Sequence, residues 1–136
     1  MKHVNFVMAF LVVLIALLSC QKDKNGPSER FTLLTSHIWE SDSLLANGVD
    51  ASGPGELLED FAGDARFNTD GTGYFGAYTG TWAFSSSENY LTINSDSIPV
   101  PLTAKIEELT ELSLKITTSF PAIPDPIDIR ITFKNK

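Results

Sequence analysis

Residues 127–134 alternate without a break: Ile127, Ile129, Ile131 and Phe133 interleave with Asp128, Arg130, Thr132 and Lys134. Successive side chains of a strand point to opposite faces, so this spacing gives one apolar and one wet face. Such a strand belongs in an antiparallel sheet that is buried on one side only. The pattern recurs upstream. Ile98, Val100, Leu102, Ala104 and Ile106 face Pro99, Pro101, Thr103, Lys105 and Glu107; Leu112, Leu114 and Ile116 face Glu111, Ser113, Lys115 and Thr117. A helix would scatter these faces around its axis, so the last third of the chain is committed to β-structure.

The preceding residues read the same way with shorter strands. Residues 37–45 form a first strand, ended by Asn47-Gly48, a pair that tolerates the positive φ of a tight hairpin turn. Residues 65–69 and 72–77 flank Asp70-Gly71, residues 80–85 follow a turn at Tyr78-Thr79, and residues 90–94 follow a polar stretch. Two short helical pieces interrupt the strands. Ser28 caps one that carries Phe31, Leu33 and Leu34 on its apolar side. The other spans residues 56–61 and presents Leu57, Leu58 and Phe61.

About eight short strands joined by hairpins, each with one face to bury, close most simply into an up-and-down antiparallel barrel, which also removes exposed edges. The expected fold is therefore an all-β, antiparallel up-and-down β-barrel of about eight strands with a short N-terminal helix. An eight-stranded barrel either fills with side chains or holds one small ligand. Pro99 and Pro101, two residues apart, both lack an N–H toward the same neighbour, so a seam in the barrel is expected there.

The N-terminus has a different character. Lys2 and His3 precede a nearly unbroken apolar run, residues 6–18. Thirteen residues are too few to span a hydrocarbon core, which takes about 20 in a helix, but they suit the core of a secretory signal peptide. Leu17-Leu18-Ser19-Cys20 resembles a bacterial lipobox, in which the cysteine is lipidated and becomes the new N-terminus. The expected organisation is a signal peptide over residues 1–19, a lipidated tether over 20–27 and a barrel over 28–136. Acyl chains on Cys20 contribute about 0.8 kcal/mol per buried methylene, enough in combination to hold the protein on a membrane. Gln21-Lys22-Asp23 resembles export signals of Bacteroidota surface lipoproteins. An outer-membrane location follows, on the periplasmic face or at the cell surface.

Composition narrows the function. Ten Lys and Arg against 17 Asp and Glu give a net charge of −7, which argues against binding nucleic acid. A single cysteine excludes an internal disulfide framework and a Cys-rich zinc site. Residues 68–73, Asn-Thr-Asp-Gly-Thr-Gly, faintly resemble a calcium loop but lack its distant bidentate glutamate, and a hairpin turn accounts for them. His37 is the one histidine beyond the signal segment and has no nucleophile motif beside it. No enzyme activity, cofactor or metal is expected.

Residues 34–39 after the short helix, Phe67-Asn68-Thr69-Asp70-Gly71-Thr72-Gly73, and Gly80-Thr81-Trp82 before Leu91-Thr92-Ile93 resemble the lipocalin-like lipoproteins of Bacteroidota. The resemblance runs from about Phe31 to Phe133. Typical members open the first strand with Gly-x-Trp; here His37 fills the glycine position before Trp39. The resemblance implies a small up-and-down barrel with a generic capacity for apolar molecules, and no reaction.

Candidate ligand contacts are Trp39, Phe67, Tyr74, Tyr78, Trp82 and Phe84. The two tryptophans more often serve as plugs that close one end against the helix, and tyrosines with a wet hydroxyl suit a pocket rim. Phe120 and Ile123, in a stretch stiffened by Pro121, Pro124 and Pro126, are candidate contacts for a protein partner. Two functions follow. One is a lipid-anchored envelope protein holding a small apolar or amphipathic ligand. The alternative is a non-enzymatic envelope module with a filled barrel, whose loops contact a protein or glycan.

Overall fold

The computed structural model describes residues 26–136; the expected signal peptide, Cys20 and most of the expected tether lie outside the described residues. The chain runs through helix α1 (Glu29–Ser36), β1 (Ile38–Ala46), β2 (Val49–Asp50), a single 3-10 turn (Glu59–Phe61), β3 (Asp64–Phe67), β4 (Thr72–Phe75), β5 (Tyr78–Phe84), β6 (Tyr90–Asn94), β7 (Leu102–Leu109), β8 (Ser113–Phe120) and β9 (Ile127–Asn135). Each strand from β3 to β9 pairs antiparallel with its sequence neighbour, β1 pairs with β3, and β1 also pairs with β9. That last pairing closes the sheet. β2 is a two-residue appendix hydrogen-bonded to β1, so the wall is a closed barrel of eight strands, as the patterning predicts.

Closure runs along nearly all of β1, from Trp39 opposite Asn135 to Ala46 opposite Ile129. Between Ser41 and Ser43 the register shifts, leaving Asp42 as an extra residue. This β-bulge reverses the alternation, so Trp39 before it and Leu44 after it both reach the core despite their odd spacing. β7 uses the same device. Glu107 is extra between Ile106 and Glu108, and Leu109 joins Ala104 and Ile106 in the core.

Helix α1 seals one end. Ser28 Oγ accepts the Phe31 N–H at 3.0 Å as the N-cap and donates to Glu88 Oε1 at 2.7 Å, tying the helix start to the β5–β6 loop. Leu34 is fully buried, with Phe31 and Leu33 packed against the same core. Trp39 is also fully buried, and its Nε1–H donates to Leu34 O at 3.0 Å. One of the carbonyls left unpaired at the end of the helix is thereby satisfied by the ring that plugs the barrel. Trp82 donates from Nε1 to Asn68 O at 2.9 Å and packs edge-on to Phe67, with ring centroids 5.7 Å apart. The two tryptophans fill the helix-side end.

Several local expectations are corrected. The turn before β5 is Gly76-Ala77, and Tyr78 and Thr79 are already in the strand, paired with Phe75 and Tyr74. Residues 98–101 precede β7, leaving Val100 58% exposed, because the Pro-x-Pro run supplies too few N–H groups for a ladder. Leu112 lies in the β7–β8 turn and is 75% exposed; its alternation with Leu114 continues past the end of the strand. Of the residues expected to pack from the second helical piece, Leu58 is buried whereas Leu57 is exposed.

Replacing Trp39 with alanine removes both the plug and the partner of Leu34 O. Urea unfolding of Trp39→Ala is expected to show a loss of about 3–5 kcal/mol; a loss below about 1 kcal/mol would contradict the plug.

Candidate functional site

The end of the barrel away from α1 is built from the β1–β2 turn, the β2–β3 connection (residues 51–63), the Gly76-Ala77 turn, and the loops at residues 95–101 and 121–126. The β2–β3 connection is a strap folded over the opening. Ala51 donates its N–H to Leu44 O at 2.9 Å, and Leu58 donates to Ala51 O at 2.9 Å, which drops the Leu58 side chain into the mouth at 2% exposure. Farther on, Ala77 N–H donates to Asp60 O at 2.7 Å and the Phe61 ring lies against Tyr78 with centroids 4.8 Å apart. Gly76 makes this approach possible. Its φ is +60°, and a Cβ there would collide with Asp60 O and the Phe61 backbone.

Beside the strap the wall parts. β8 pairs with β9 as far as Phe120 opposite Ile127, but its ladder with β7 begins only at Lys105 opposite Thr117. Beyond that point the Thr118 hydroxyl reaches across to Thr103 O at 2.8 Å. The seam expected at Pro99 and Pro101 thus opens on the β8 side, while β7 stays paired with β6 down to Leu102. The cleft continues into a cavity of about 650 Å³. Ile129 and Ile131 form its inner wall, Leu58 and Phe61 its strap side, and Leu102 and Phe120 the lips of the seam. Pro99 and Pro101 complete the outer rim.

This lining is apolar apart from a few hydroxyls. Thr103, Thr118 and Ser119 sit along the seam, and Tyr78 stands where strap and wall meet. The Tyr78 hydroxyl donates to Asp60 Oδ2 at 3.3 Å. Burial, and after it the neighbouring Asp60 carboxylate, hold this phenol above its ordinary pKa, so it stays a neutral donor through the physiological range. A second, more open hollow of about 390 Å³ lies against β8, β9 and the β1–β2 turn, where Thr117, Asp128 and Arg130 make it more polar than the cavity.

Of the six candidate ligand contacts, Tyr78 lines the cavity. Trp39, Phe67 and Trp82 fill the opposite end, and Phe84 packs edge-on against Trp82. Tyr74 alternates with the core residue Phe75 on β4 and so belongs to the other face of the wall. Phe120, read as a partner contact, is a lip of the seam, and Ile123 is 99% exposed beyond it. Leu58, Phe61, Leu102, Ile129 and Ile131 are among the lining residues that were not expected as ligand contacts. A signal for the strap was present: Gly53-Pro54-Gly55 and Gly63 bracket a short segment with three large apolar residues, more than a solvated loop needs.

Among the described residues no three His, Cys, Asp or Glu side chains cluster to hold a metal, and no helix is long and apolar enough to cross a membrane. No family model matches the chain, and no curated protein matches it.

Proposed function

We propose that this protein is a lipid-anchored binding protein of the cell envelope that holds a small apolar or amphipathic molecule in the cavity beneath the strap. The observation that carries the reading is the cavity itself. Its volume of about 650 Å³ falls within the range of about 300–1,000 Å³ usual for small-molecule sites, and its lining is mostly apolar with a few hydroxyl-bearing residues along the seam. The barrel matches a lipocalin-like architecture, which supports the reading by analogy of fold. Lipid attachment at Cys20, and with it the outer-membrane location and the kinship with Bacteroidota lipoproteins, rests on the apolar leader and the Leu17-Leu18-Ser19-Cys20 motif. An interaction module remains the second reading, favoured by the exposed apolar residues Val100 and Ile123 at the same rim, where a protein or glycan would dock.

Native mass spectrometry of the barrel, followed by solvent extraction, tests binding. An adduct of one small apolar molecule per chain is expected, extractable and competed by an added apolar probe. Ile129→Trp should abolish the adduct by filling the cavity. A bare mass that stays bare across a panel of apolar compounds would move the function to the loops. The anchor is tested separately: Cys20→Ala should shift the protein from the membrane to the soluble fraction, and unchanged membrane fractionation would refute lipidation.

A further inference from the structure

The charges of this barrel are sorted by end. The connections around the cavity mouth carry Glu56, Glu59, Asp60, Asp96 and Asp125, and not one Lys, Arg or His. The described lysines are engaged elsewhere. Lys105 pairs with Glu107 and Lys115 with Glu108 on the outer wall; Lys134 pairs with Glu40 and Lys136 with Asp64 where β1, β3 and β9 meet. Arg30 donates to Glu88 O beside the helix. Arg66 stands opposite Ile38 at the helix end of β3. Arg130 faces Thr117 across β8–β9 beside the second hollow, and its charge acts on Glu107 outside the barrel.

The strap carboxylates meet no cation in their own hydrogen bonds. Glu56 accepts the Gly53 N–H, Glu59 the Gly55 N–H and Asp60 the Tyr78 hydroxyl, all neutral donors. A ligand whose apolar body fills the cavity must leave its head at the rim, where the surrounding connections carry five carboxylates, none of them part of the lining, and no cation. A low-dielectric wall beside such a rim focuses the field and raises the local concentration of the opposite sign.

We infer that the cavity takes single-chain amphiphiles with a protonated amine head in preference to those with a carboxylate head, and that neutral heads fall between. The inference deepens the binding reading and rests on it. The apolar lining supplies affinity and the rim supplies sign. The common fatty-acid anion is thereby the disfavoured ligand, because the connections around this mouth hold no cation to pair with it.

The test compares dodecylamine, dodecanol and dodecanoate on the barrel, residues 26–136, whose strands are all paired among themselves. At neutral pH and low salt, calorimetric titration should rank them in that order, with the amine about tenfold tighter than the carboxylate. The spread should shrink as added salt shortens the screening length to about 10 Å or less. Butylamine should not bind measurably, since charge without a tail gains nothing from the cavity. Asp96→Asn combined with Asp125→Asn removes two rim charges that have no part in the lining and should narrow the amine-to-carboxylate ratio severalfold. Equal binding of all three twelve-carbon ligands, or a ratio untouched by salt and by the double substitution, would overturn the charge selection and leave the cavity reading standing. Binding by none of them would overturn both.

Discussion

Everything in this barrel depends on β1 meeting β9. The two strands lie at opposite ends of the domain in sequence, and their pairing converts an open meander with two free edges into a closed wall. Closure over so many residues needs the curvature that the Asp42 bulge introduces. The same bulge lets a strand that begins with Trp39 facing inward end with Leu44 facing inward. Because the two strands are far apart in sequence, the ring closes through non-local contacts. The Asn47 side chain adds a clasp by accepting the Asp128 N–H at 3.0 Å, and Lys136 N–H donates to Ile38 O at the other end of the pair.

A closed ring of eight strands leaves two ends to seal, and the chain seals them by different means. At the helix end, large rings do the filling, and each indole N–H reaches a backbone carbonyl. At the other end the stopper is a strap with a single fully inserted aliphatic side chain, Leu58, and one aromatic contact. One leucine displaces far less volume than two tryptophans and a phenylalanine, so space remains beneath the strap. The proline-rich lead into β7 prevents the wall from closing over that space. Whether such a barrel is filled or open therefore has a divided answer: it is filled at one end and open at the other.

The sequence showed the ring more clearly than the hollow. Period-two alternation in β9, and the Asn47-Gly48 pair with both residues at positive φ, carry strand and turn directly. Trp39 beside an apolar helix already suggested a plug. What alternation cannot show is where a strand stops or slips. Val100 and Leu112 keep the apolar rhythm before the ladder has begun, and Asp42 and Glu107 break it where the ladder continues. Leu57 and Leu58 are adjacent and chemically identical; only the backbone bonds of the strap decide that the second turns inward. The cavity lining depends on those decisions, which is why Ile129 and Ile131 read simply as core and Phe120 as a loop residue.

The most direct measurement of this account is a map of amide chemical shifts as an apolar probe is titrated into the isotopically labelled barrel. The account predicts saturable shifts concentrated in the strap around residues 57–61, in residues 100–103 and in residues 118–120, with the amides near Trp39 and Trp82 unmoved. Shifts centred on the helix end, or none that saturate, would contradict a barrel that is plugged at one end and hollow at the other.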